Sequence, residues 1–166
     1  SYFADNSGAR LILCDAKASG TLDPVARACG ARLETMSADG GGSFADQAAA
    51  MPVSFETVDR SADDLAAFLY TSGTTGRSKG AMLTQGNLLS NCQTLAAEWR
   101  FTADDTLLHA LPIFHTHGLF VATNISLLAG GKILFLPKFD LDAMLDLMPQ
   151  ARTMMGVPTF YTRLLG

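Results

Sequence analysis

The residues of this chain best equipped for chemistry lie in Tyr70-Thr71-Ser72-Gly73-Thr74-Thr75-Gly76-Arg77-Ser78-Lys79-Gly80. Glycines at 73, 76 and 80 let a backbone turn sharply and come close to a ligand. N–H groups and hydroxyls beside them donate to phosphate oxygens, and the Lys79 ammonium adds a mobile point charge for the same oxygens. The ligand that suits such a surface is a polyphosphate, with ATP the first candidate. Stretches rich in Gly, Ser and Thr also form plain turns, so the order of residues matters more than their composition. The spacing Gly-x-x-Gly-x-x-Lys lacks the Gly-Lys-Ser/Thr of a P-loop and does not match the dinucleotide pattern Gly-x-Gly-x-x-Gly. It describes a phosphate cradle of a third type.

A second reactive cluster is Leu108-His109-Ala110-Leu111-Pro112-Ile113-Phe114-His115-Thr116-His117-Gly118. Two histidines at i and i+2 on an irregular loop, with no third ligand nearby, are poor material for a zinc site. The bland alternative is a loop whose imidazoles are hydrogen-bonded against the core. His109 falls inside a strand pattern and reads as packing. Trp99 sits at helical spacing on an apolar face and reads as core.

The elements that must position these residues follow from apolar periodicity and its punctuation. Arg10 to Asp15 is a short buried-strand pattern, Leu22 to Gly30 a helix ended by glycine, and Arg32 to Met36 a second strand. Ala38 to Pro52 reads as a loop with one weak helix. Asp63 to Tyr70 is the strand feeding the phosphate segment, and Ala81 to Thr84 a return strand. Gln85 to Trp99 is amphipathic, with Leu88, Leu89, Cys92, Leu95, Ala96 and Trp99 on one face. Thr106 to Leu111 is a strand stopped by Pro112, and His117 to Ala129 a helix apolar nearly all round, hence buried on most sides. Lys132 to Leu136 is a strand, Asp140 to Met148 a capped helix, Thr153 to Val157 a last strand and Thr159 to Leu165 a final helix. Alternating strands and helices predict an α/β fold: a doubly wound, mainly parallel sheet flanked by helices, with ligands collecting at the carboxyl ends of the strands.

Composition narrows the function classes. The chain has 166 residues, a net charge of −4 and 17% charged residues, so it advertises no basic face for nucleic acid. The most apolar stretch, residues 111–128, contains Pro112, His115, His117 and Asn124, which argues against a membrane span. Cys14, Cys29 and Cys92 fit no zinc or CxxC template and read as reduced thiols of a cytoplasmic protein. Nothing in the pattern selects an oligomeric state.

The segment 70–80 resembles the phosphate-binding signature of the acyl-adenylate-forming enzymes, usually Tyr/Ser-Thr-Ser-Gly-Thr-Thr-Gly-x-Pro-Lys-Gly. The chain departs once, with Ser78 in place of proline, which frees a backbone dihedral and an N–H and leaves Lys79 in place. Within that superfamily the combined stretches 70–83, 99–102, 109–120, 135–140 and 155–165 are most similar to the malonyl-CoA synthetases. The resemblance implies an acid–thiol ligase: a carboxylate attacks the α-phosphorus of ATP, and the thiol of coenzyme A then displaces AMP. It implies that Thr71, Ser72, Gly73, Thr74, Thr75, Gly76 and Lys79 hold the phosphates and that Thr75 lies beside Mg²⁺. It further implies that Lys79 and His115 serve the reaction, His115 by gating carboxylate and thiol access, while His117 has no assigned role.

By the same resemblance, residues 1–166 are a partial AMP-binding N-terminal domain without the C-terminal lid, and the piece alone is expected to lack ligase activity. No residue is identified by sequence as the partner of a distal carboxylate; Arg163 is the nearest arginine. Competing expectations are a different short- or medium-chain acyl-CoA synthetase, a phosphoryl-transferring NTPase, and a nucleotide-binding module without catalysis. The NTPase is disfavoured by the absent Walker spacing.

Overall fold

A computed structural model describes residues 2–71 and 78–166. The chain divides into two compact units, residues 1–59 with 68–81 and residues 60–67 with 82–166. The architecture is α/β, with parallel strands joined through helices.

In the first unit, α1 (Tyr2–Asn6), β1 (Leu11–Cys14), α2 (Ser19–Cys29), β2 (Arg32–Thr35) and α3 (Ser43–Ala49) follow one another. β1 and β2 pair in parallel, Leu11 opposite Arg32 and Cys14 opposite Thr35, with α2 as the crossover. Glu34 on β2 accepts from the hydroxyl of Ser43 at the start of α3 and meets Arg32 Nε at 3.1 Å. β3 (Leu65–Thr71) and β4 (Lys79–Thr84) form a sheet of their own.

The second unit holds α4 (Gln85–Glu98), β5 (Thr106–His109), a π-helix (His117–Thr123) running into α5 (Asn124–Ala129), β6 (Lys132–Phe135), α6 (Leu141–Leu147), β7 (Thr153–Met154) and α7 (Pro158–Leu165). Local chemistry accounts for the boundaries. Thr84 and Asn87 cap α4 reciprocally, each side chain taking the other's backbone N–H at 3.1 Å. Asp140 caps α6 through the N–H of Ala143 at 3.1 Å. Gly130 ends α5 at φ 75°, a left-handed turn that side chains with a Cβ resist.

The strand order is β6-β5-β7, all parallel, with His109 opposite Phe135 and Leu108 opposite Met154. The chain therefore leaves β5 to one side for β6 and returns past it for β7. That reversal is a topological switch point, where the carboxyl ends of neighbouring strands open a crevice. Leu107, Leu108, Ile125 and Met144 are fully buried beneath it, each worth about 1.5–3 kcal/mol in apolar transfer.

Several expectations change. Hydrogen bonding among the described residues yields three separate sheets in place of one continuous sheet. β5 stops at His109, two residues before the predicted end, and β7 has only two residues. Residues 117–129 are not a single α-helix buried on most sides. They begin with π-helical turns, and Leu127 and Leu128 stand exposed beside a core-facing Ile125. In α4, Cys92 is buried and Leu95 and Ala96 pack on the core, whereas Leu89 is exposed. Trp99 is not a core residue: it caps the carboxyl end of α4 and is 49% exposed. Apolar periodicity shows which face of a helix is greasy, not how far along the axis the neighbouring layer extends.

Candidate functional site

Each unit carries one part of the predicted chemistry. In the first, Thr71 is the last residue of β3 and Lys79 the first of β4, and both are exposed. The predicted phosphate ligands Ser72, Gly73, Thr74, Thr75 and Gly76, with the proposed metal neighbour Thr75 among them, lie outside the described residues. The flanks of that segment are tied to α1. The Tyr70 hydroxyl donates to Asn6 Oδ1 at 2.8 Å and lies 3.4 Å from the Phe3 carbonyl, while the Tyr2 hydroxyl donates to the Ser78 carbonyl at 2.8 Å. Edge-to-face rings support the ties, with Phe3 and Tyr70 centroids 4.7 Å apart. Gly80 lets the ring of Phe68 come close against β4, since a Cβ there would fall 2.0 Å from it.

In the second unit, the switch point opens into a cleft of about 540 Å³. Pro112, Phe114 and His115 come from the loop after β5, Phe135 and Phe139 from the end of β6 and beyond, and Phe160 from α7. His115 is exposed and Phe114 77% exposed, their rings 4.6 Å apart, so both are free to meet a ligand. The His115 N–H donates to the Pro112 carbonyl at 3.2 Å and its carbonyl accepts from Leu119 at 3.0 Å, which fixes its backbone. Close approach demands glycine at 118: a Cβ there would lie 2.3 Å from the Pro112 carbonyl oxygen.

His109 is packed as the strand pattern predicts, 1% exposed, with its ring edge-on to Phe135 at 5.2 Å. Its polar atoms are all engaged. Nδ1 accepts from the Leu111 N–H at 3.2 Å, and Nε2 lies 2.9 Å from the Gly118 carbonyl and 3.1 Å from Thr123 Oγ1. Burial holds this imidazole below the ordinary histidine range, opposed by the Gly118 carbonyl and aided by the charge of His117. Burial likewise pushes the Cys92 thiol up.

One cation that sequence reasoning did not place lines this cleft, and a second stacks on a ring of its lining. Lys138 lines it, and the Arg163 guanidinium lies over the Phe139 ring, 4.3 Å from its centroid. Phe139 in turn packs on Phe160 at 4.4 Å. Arg163 follows Phe160 on the same helix at i+3, a spacing visible in the sequence; its meeting with Phe139 across the fold was not. A separate groove of about 560 Å³ follows β7, lined by Trp99, Phe101, Arg152 and Tyr161, with His117 shared between it and a smaller pocket beside His115. Among the described residues no group of three or more His, Cys, Asp or Glu is gathered as a metal site, and no helix is long and apolar enough to cross a membrane.

Residues 1–166 match the AMP-binding enzyme family along their whole length. The chain is an AMP-binding family member. As such it is similar to apo MatB from Rhodopseudomonas palustris, 57% identical over 99% of this chain and 32% of that one, with a TM-score of 0.95. ATP-bound MatB from the same organism superposes with a TM-score of 0.94. A mitochondrial malonate–CoA ligase of Xenopus laevis is 31% identical over 171 residues, which is 99% of this chain and 29% of its own length. A feruloyl-CoA synthase of Amycolatopsis is 43% identical over 101 residues, 60% of this chain and 21% of its length. The AMP-binding chain thus spans about a third or less of each of these relatives.

Proposed function

We propose that the chain is part of the N-terminal domain of an ATP-dependent acid–thiol ligase that activates malonate as acyl-AMP and passes it to coenzyme A. The carboxylate attacks the α-phosphorus of ATP and pyrophosphate leaves; the coenzyme A thiolate then attacks the acyl carbon and AMP leaves. Both steps bring anions together, so charge neutralisation is the main catalytic demand. Thr71, Ser72, Gly73, Thr74, Thr75 and Gly76 donate to the β- and γ-phosphates, and Lys79 supplies the matching charge. The uncharged donors of residues 71–76 are hydroxyls and amides, so Mg²⁺ would take its ligands chiefly from phosphate oxygens, with the Thr75 hydroxyl as its protein neighbour, and would neutralise developing charge.

What supports the malonate reading is the cleft at the end of β5, where Lys138 shares the lining with His115 and Phe139, the ring on which the Arg163 guanidinium lies. A small dicarboxylate needs a cation for the carboxylate that does not react, and an AMP-binding relative is named for malonate. His115 gates the entry of carboxylate and thiol. A second reading, a larger or aromatic acid, is favoured by the ring-lined wall of Phe114, Phe135, Phe139 and Phe160 and by the feruloyl-CoA synthase relative. Free Cys14, Cys29 and Cys92 fit a reducing compartment, the cytoplasm or the interior of a mitochondrion.

The test is a panel of malonate, methylmalonate, acetate and ferulate offered to the full-length protein, scored by acyl-CoA and pyrophosphate. Malonate should lead, and Lys138→Met should erase its advantage over acetate. Ferulate in first place would replace the malonate reading, and release of orthophosphate without pyrophosphate would refute adenylation. Malonate and methylmalonate should differ by only ~1 kcal/mol, the worth of one methyl group.

A further inference from the structure

One buried ring ties down both ends of the loop that displays His115. Leu111 and Gly118 bracket residues 112–117, and each is bonded to a different nitrogen of His109. Because the Leu111 N–H donates to Nδ1, that nitrogen carries a lone pair, and in the neutral ring the proton sits on Nε2. The Nε2–H points at the Gly118 carbonyl, with Thr123 Oγ1 alongside; the Thr123 hydroxyl donates to the same carbonyl at 2.8 Å. The Gly118 carbonyl therefore has two side-chain donors at the point where the backbone widens into π-helical turns. No solvent competes, since the ring is 1% exposed.

We infer that His109 is a positioning residue for the acyl-site loop: as the Nε2–H tautomer it fixes the separation of Leu111 and Gly118, and with it the place of His115. The inference rests on His115 serving the acyl site. A proton added at Nδ1 would set two N–H groups against each other at Leu111 and release that end of the loop. Among the described residues, His117 is the one ionisable group whose charge acts on His109, and its charge opposes that proton. The uncharged neighbours are Phe135 on β6 and Gly118 and Thr123 on the π-helix.

Two measurements on the full-length protein decide the matter. In the first, His109→Phe keeps a ring against Phe135 and loses both bonds, whereas His109→Gln keeps a neutral donor and acceptor. His109→Phe should lower kcat/KM for the carboxylate by about tenfold or more through misplacement of the loop, with KM for ATP unchanged, and His109→Gln should recover part of it. Equal losses for ATP and carboxylate, or no loss at all, would overturn the assignment. The second does not depend on activity or on a variant folding. Nitrogen-15 resonances of the His109 ring should show protonated Nε2 and bare Nδ1, and the Leu111 and Leu119 amides should exchange faster as that ring titrates. A protonated Nδ1, or amides indifferent to the titration, would overturn it even in an active ligase. Failure of the carboxylate panel with these resonances intact would instead count against the proposed function.

Discussion

Two stretches of this chain are tied at both ends by ring-bearing side chains, and the ties differ in kind. Around residues 71–78 the ties are the phenol hydroxyls of Tyr2 and Tyr70, which reach between α1 and the flanks of the segment in partly exposed positions. Around residues 111–118 the tie is one imidazole shut away from water. Water can replace a phenol–carbonyl bond at such positions, so its net worth is modest. The imidazole tie meets no such competition, yet it holds only in one protonation state and one tautomer. Under the proposed function the comparison teaches that a polyanion site, rich in its own donors, would tolerate a loose frame, whereas a site for a small acid would depend on a rigid one.

The largest effect expected from breaking either side is chemical. Lys79→Ala should lower ATP-dependent acyl-AMP formation by about 10²–10³-fold, the usual loss when one charge-stabilising donor is removed. Unchanged pyrophosphate release in a single-turnover assay would remove Lys79 from the site. Next comes Gly118→Ala. The added methyl would lie 2.3 Å from the Pro112 carbonyl, and the overpacking should cost about 1–3 kcal/mol, read as a lowered urea midpoint. A midpoint equal to that of the parent would show that the loop after β5 yields easily, against the rigid frame argued for it.

Smaller still is Tyr2→Phe, which removes a 2.8 Å bond to the Ser78 carbonyl. About 1 kcal/mol is at stake, so KM for ATP should rise about fivefold or less while KM for the carboxylate stays put. A rise in both would mean that the two frames are coupled.

The last effect concerns acid stability and separates the units by pH alone. The His109 pKa is depressed in the folded chain, so the unfolded chain takes up that proton first, and stability is lost as pH falls from the ordinary value of 6.5 toward the folded one. In the first unit, hydrogen bonds from Gln47 and Ser43, then the charge of Arg32, hold the Glu34 carboxyl low. Its contribution persists until pH drops below the ordinary 4.5. Hydrogen exchange followed from pH 7 downward should therefore loosen β5 and the π-helix before β2 and α3; the reverse order would sink the argument.

Most of the fold was legible because its signals are local. The glycine stop after α2 and the Asp140 cap lie within a few residues of the elements they bound. The family was readable for the same reason: the motif at 70–80 that carries the resemblance sits in consecutive residues. The cleft after β5 was half readable. His115 was found beside Pro112, but Phe135, Phe139 and Phe160 look like ordinary core residues in sequence, and only the strand order β6-β5-β7 gathers them. Trp99 was misread because the end of α4 outruns the layer it packs on.

By itself, then, the sequence determined the α/β order and the family, both consequences of short-range geometry and motif spacing. Tertiary structure alone decided that Arg163 caps the wall at Phe139 and that His109, which the strand pattern assigned to packing, also bonds both ends of the His115 loop. Those pairings join residues far apart in the chain or fold back through a turn, and hydrogen bonds and ring contacts act only over a few ångströms of space.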